Sequence, residues 1–251
     1  MLWRKAWVET RWRALIGLGI LLCAAGAMVL VYPQVMRLVP SVPPDDGSTI
    51  TRQIREAAAL MRDYRGYVFA QWFRQSLPQL WTIMAALLGS GGLLTQGTAL
   101  FTLSLPVSRE QLSRVRAIVG LGELLALAIV PTLLVPLLSP AVGESYPLGD
   151  ALLHALCVFV AGTVFFSVAF LLSTAFADVW RPLLLTLAVA VALVSVEQLL
   201  RTRAVHGIFG VMSGDSYFRT GRLPWLGLSA SALVSLVLLW IGTVSIARRD
   251  F

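Results

Sequence analysis

The sequence predicts an all-α membrane protein with about six transmembrane helices, on three observations. Of 251 residues, 57% are hydrophobic and only 13% are charged, where a soluble domain carries about a quarter charged residues. The mean hydropathy is +0.79. The apolar residues are also gathered into six long runs, each close to the roughly 20 residues that a helix needs to cross a bilayer. A chain of this kind needs lipid to cover its surface.

The runs are Ala14 to Tyr32, Leu77 to Leu94, Ala117 to Leu138, Ala151 to Ser173, Leu183 to Leu199 and Leu223 to Ile246. The first follows Arg4, Lys5, Arg11 and Arg13, as in a signal peptide, but it is too long for an h-region and reads as a retained span. Before it, Trp3 and Trp7 lie one turn apart with the bases turned elsewhere. That is the pattern of an amphipathic interfacial helix, or of a basic flank that fixes orientation. Pro33, Pro40, Pro43, Pro44, Asp45, Asp46 and Gly47 open a turn-rich connection. From Thr51 to Arg74, Arg52, Arg55, Arg62 and Arg65 then alternate with Ile54, Met61, Val68, Phe69 and Trp72, which predicts a second amphipathic helix lying on the membrane surface.

Prolines and polar clusters separate the runs, and no soluble domain or internal repeat interrupts residues 1–251, so the chain reads as one transmembrane domain. Six spans put both termini on one side. The arginines on the two sides roughly balance; the Ser139 to Asp150 connection carries Glu144 and Asp150 but no base, which places it outside. The net charge of +7 is explained more simply by anionic lipid head groups than by nucleic acid, because no basic stretch interleaves aromatics as an RNA-binding surface does. Cys23 and Cys157 both fall inside apolar runs, arguing against a disulfide framework or a Cys-rich metal site and for two small buried residues.

The most informative stretch joins the second and third runs: Gly97-Thr98-Ala99-Leu100-Phe101-Thr102-Leu103-Ser104-Leu105-Pro106-Val107-Ser108-Arg109-Glu110-Gln111-Leu112. Ser108 is a good N-cap, Gln111 completes a capping box, Val107 and Leu112 can form a hydrophobic staple, and Glu110 with Arg114 makes an i,i+4 pair. A helix therefore starts at Arg109 and continues into the third span. Before it, Thr98 to Ser104 allow one or two helical turns closed by Pro106. The local chemistry fits either a short rigid helix or an ordinary well-capped turn.

This stretch resembles the segment joining the second and third spans of the type-two ABC exporter permeases: Gly97 and Thr98, apolar residues including Phe101, then Leu105, Pro106, Val107, Ser108 and Arg109. The likeness extends loosely to six spans, to an N-terminal amphipathic helix and to the Ala247-Arg248-Arg249-Asp250-Phe251 tail. It implies that the loop is a cytoplasmic coupling helix docked on an ABC ATP-binding subunit, and that two permease chains, identical or not, form one transporter. It further implies residence in the bacterial inner membrane with both termini cytoplasmic. ATP and magnesium would belong to the partner, with no cofactor bound by this chain. The family usually carries acidic residues before the Gly-Thr pair; here Thr95 and Gln96 stand there. Family members also have short re-entrant helices before the last span. Ile208, Phe209, Val211 and Met212, flanked by Gly207, Gly210 and Gly214, fit such a segment or an apolar loop packed on its neighbours.

Among intramembrane polar residues, Glu123 lies about two turns into the third span. It is a candidate for the substrate path, because an unpaired ionisable group there is costly, or else a residue bonded within the bundle or snorkelling to the surface. His154 and His206, with no acid or cysteine cluster beside them, do not suggest a metal or catalytic site. Thr163, Ser167, Ser173, Gly17, Gly19, Gly120 and Gly122 read as helix-packing positions. The chain lacks a Gly-x-x-x-x-Gly-Lys-Ser/Thr loop, so the expectation is a permease and not the ATPase or another enzyme. The alternative is a self-sufficient secondary transporter or channel, which would call for paired charges or broken helices in two matching halves.

Overall fold

The computed structural model describes residues 2–38, 60–91, 108–176, 178–199 and 207–247, and every element among them is helical. Helix α1 is Leu2–Leu38, α2 Tyr64–Val68, α3 Leu77–Ser90, α4 Arg109–Leu138, α5 Leu148–Ala175, α6 Trp180–Leu199, α7 Ile208–Ser213, α8 Asp215–Thr220 and α9 Trp225–Ala247. A π-helical stretch, Phe69–Ser76, joins α2 to α3, and a short 3-10 turn, Ser139–Val142, follows α4. Five stretches, Leu2–Arg37, Glu110–Val142, Leu148–Ala175, Trp180–Leu199 and Trp225–Ser245, are long and apolar enough to cross a bilayer. The chain is a multi-pass membrane protein.

Helix α5 is the centre of the bundle. Of its most apolar stretch 61% is buried inside the protein, against 22% for α1 and α6 and 28% for α9. It packs on α3, α4, α6 and α9. The outer helices turn Leu184, Val191, Leu226, Leu236 and Trp240 outward, a surface that only lipid matches. Close approach at the centre depends on a missing side chain: a β-carbon at Gly89 of α3 would lie 2.6 Å from the carbonyl oxygen of Phe166 and 2.8 Å from Ala169 Cβ.

The second apolar run behaves differently from the other five. Helix α3 has 14 residues, about 21 Å at the usual rise, short of a hydrocarbon core of about 30 Å. It continues without a break from α2 through the π stretch, and the whole segment runs the length of the bundle. The aromatic and aliphatic side chains of the expected surface helix are accordingly found inside the protein: Tyr64, Tyr67, Val68, Phe69, Trp72 and Phe73 are all buried. Apolar residues three and four apart mark one helix face, and that periodicity is the same whether the face meets lipid or protein. Residues 51–59 of that segment lie outside the described residues.

The N-terminal segment is not a separate interfacial helix. Residues 2–38 form one helix of 37 residues, about 55 Å long, which must extend beyond a core of about 30 Å. Trp3, Trp7 and Trp12 are exposed on its first turns. Before the last span, α7 and α8 are joined at Gly214, whose φ of 68° suits glycine. Val211 and Met212 are buried there and pack toward α5. Cys157 is buried as expected; Cys23 is exposed, because it lies on the outward face of α1.

Candidate functional site

Helix α4 opens where the sequence places its start. Ser108 is extended (φ −65°, ψ 139°), its hydroxyl accepts the Gln111 N–H at 3.2 Å, and the Leu112 N–H donates to the Ser108 carbonyl at 3.1 Å. Glu110 pairs with Arg114 on the exposed face. Of the predicted coupling residues, Gly97, Thr98, Phe101, Leu105, Pro106 and Val107 lie outside the described residues, and Arg109 is described as the first helical residue only. The segment that contains them leaves α3 at Gly91 and re-enters at Ser108, at the end of the bundle where α1 begins.

Glu123 sits on that same half of α4 and faces α1. Its Oε1 accepts a hydrogen bond from the Thr10 hydroxyl at 2.6 Å, while its Oε2 is buried with no partner among the described residues. Of the two readings of Glu123, bonding within the bundle therefore describes one carboxylate oxygen and leaves the other unspent. An orphaned buried polar atom is costly. Ser113 Oγ and Arg11 Nε, on the same end, are likewise buried without partners. Arg116 lies within electrostatic reach of Glu9, Arg13 and Glu123, and the guanidinium ends of Arg13 and Arg116 meet beside Gly91. Sequence reasoning missed Thr10, Arg13, Ser113 and Arg116 as members of one cluster. The available signal was position: Arg13 and Arg116 each stand immediately before an apolar run.

The opposite end of the bundle is aromatic and carries several polar bonds between helices. Arg65 pairs with Asp150 at 2.7 Å, and the Tyr217 hydroxyl donates to the same carboxylate at 2.8 Å. His154 Nδ1 lies 2.9 Å from the Ser213 carbonyl, which only accepts, so this nitrogen carries the proton; the ring stacks on Phe73 at 4.3 Å. Phe69 stacks on Phe218 at 3.9 Å. The Tyr64 hydroxyl meets Ser139 Oγ at 2.7 Å, and Tyr67 donates to the Met28 carbonyl at 3.0 Å. Glu197 of α6 accepts the Phe209 N–H at 3.2 Å, fixing α7 to α6. Not every group there is paired: Trp72 Nε1, Thr132 Oγ1, Asp215 Oδ1 and the Tyr146 hydroxyl are buried without partners among the described residues. Burial, and then the Asp150 carboxylate, push this phenol above its ordinary range.

The remaining polar residues of the spans serve their own helices. Thr163 donates to Phe159 O at 2.5 Å, Ser167 to Thr163 O at 2.9 Å and Ser173 to Phe170 O at 2.7 Å. Among the described residues, no group of three or more His, Cys, Asp or Glu is placed to hold a metal ion. Comparison with protein-family models, with curated proteins and with solved structures finds no match to this chain.

Proposed function

We propose that this chain is the membrane-spanning permease subunit of an ATP-driven ABC exporter, moving a hydrophobic or amphipathic substrate with energy from a separate ATP-binding subunit. The observation that carries this reading is the Gly97-Thr98 to Leu105-Pro106-Val107-Ser108-Arg109 segment, followed at once by the firmly capped start of α4. In this reading, closure of two partner ATPases on ATP and magnesium displaces the Thr98 to Ser108 segment. The displacement passes into α4 and its neighbours, which exchange between two packings. The buried segment ending in α3 serves as the sixth span, and α7 and α8 form the re-entrant element on the outer side. Both termini face the cytoplasm of a bacterial cell, and a second permease chain completes the pathway.

The experiment is an affinity isolation of the detergent-solubilised chain from its native membrane, with and without Arg109→Glu. An ATP-binding subunit that co-purifies with the wild type and is lost in the variant supports the reading. Leu105→Asp is expected to abolish stimulation of the partner's ATPase while leaving the elution volume and helix content unchanged; unaltered stimulation overturns the coupling role. The second reading, a self-sufficient secondary carrier, is favoured by one observation, the unpartnered oxygen of Glu123 in the third span. A chain that purifies alone and still transports decides for it.

A further inference from the structure

At the end of the bundle where α1 begins, two arginines from different helices converge on one small volume. A β-carbon added at Gly91 would lie 2.5 Å from Arg116 Nη2 and 2.9 Å from Arg13 Nη1. Both side chains are half-buried and Gly91 is buried. Neither guanidinium forms an ion pair or hydrogen bond among the described residues. Glu9 and Glu123 are opposing charges within electrostatic reach of Arg116, but Glu9 is paired to Lys5 at 4.0 Å and neither carboxylate forms an ion pair with Arg116 among the described residues. The 92–107 segment, which leaves from Gly91, contains no Asp or Glu to bring to them. Two like charges held together in a partly desolvated place repel, and a shared anion removes that cost while using both donor forks.

The position indicates what kind of anion. Arg13 is the last residue before the apolar run of α1, and Arg116 the last before that of α4. Trp7 and Trp12, which precede Arg13 on α1, are exposed, as tryptophans are at the head-group layer. Ser113, one turn before Arg116 on the same helix, adds a buried hydroxyl with no partner. Guanidinium forks match the oxygens of a phosphate better than a point charge does. The carbonyl end of α3 opposes an anion here with about half a charge, less than the two full positive charges facing it.

We propose that Arg13 and Arg116, brought together beside Gly91, form a binding site for one phosphate-type oxyanion at the membrane surface. The site stands independently of the transporter reading. The phosphate belongs either to a lipid head group or to a soluble phosphate, and these are separable.

The test uses the full chain in detergent. Native mass spectrometry follows its retention of phosphatidylglycerol against phosphatidylcholine, and thermal unfolding is followed with added inorganic phosphate. Gly91→Ala is the informative variant: φ at Gly91 is −70°, open to alanine, and the added methyl pushes only the flexible arginine ends apart. Arg13→Gln/Arg116→Gln removes the charge, and Arg181→Gln, an exposed arginine near the same end, is the control. We expect the wild type to retain one phosphatidylglycerol selectively, with that preference falling about tenfold in Gly91→Ala and in the double variant, and unchanged in the control. A shift in melting temperature with inorganic phosphate, lost in the same variants, instead identifies the soluble source. No preference and no shift in the wild type, or either effect surviving in Gly91→Ala, overturns the site.

Discussion

Where α1 ends, the bundle is closed by aromatic stacking and by polar bonds between helices: Asp150 is shared by Arg65 and Tyr217, His154 is tied to Ser213, and Tyr64 is tied to Ser139. Where α1 begins, polar groups are also buried, with Thr10 and Glu123 joining α1 to α4 and two arginines facing each other. Glu123 uses one oxygen of two, Ser113 and Arg11 carry orphaned atoms, and Arg13 approaches Arg116. A membrane protein folds with little hydrophobic drive between its helices, so polar contacts and tight packing fix its geometry. The end rich in bonds between helices holds the fold. The other end gathers arginines, and it is also the end from which residues 92–107 depart.

The comparison is broken most severely by Phe73→Ala. Phe73 is fully buried and supports the His154 ring, so its loss should cost about 3–5 kcal/mol. A large fall in the melting temperature in detergent is expected, with faster proteolysis between α7 and α8; a fall no larger than for an exposed substitution would show that this end does not hold the fold. Thr10→Val tests the other end. It leaves the inward Glu123 oxygen without its donor, at about 1–3 kcal/mol, whereas Thr10→Val/Glu123→Leu, which removes both partners, should recover most of the loss. Additive losses in that cycle would mean that the pair is not a unit. The smallest effect is expected from Ser108→Ala. Loss of the cap costs about 1 kcal/mol and is local, so amide exchange at Gln111 should rise while the global transition hardly moves. A global change would make the start of α4 part of the core.

Much of the architecture was legible from residue order. Five of the six apolar runs correspond to helices long and apolar enough to cross a membrane, and the α4 start at Ser108 followed from capping chemistry confined to four residues. The segment ending in α3 was harder to place. Tyr64, Phe69, Trp72 and Phe73 share a face by helical spacing, but the occupant of that face is chosen by distant chain, His154 and Phe218 among it. The site was less legible than the fold. Glu123 stood out as a charge in an apolar run, yet its partner Thr10 is an ordinary residue 113 positions away.

The sequence by itself determined the solvent of this protein, the approximate bounds of five apolar helices, the firm start of α4 and the exclusion of a disulfide framework. Each follows from local composition, periodicity or capping. Only the tertiary structure decided that residues 64–76 turn inward, that Cys23 faces outward, that Asp150 completes one end and that Arg13 meets Arg116 at the other. Those outcomes depend on which helix faces press together. Where the arginines of the two sides balance and lipid and protein interior are equally apolar, residue order alone does not distinguish one face from another.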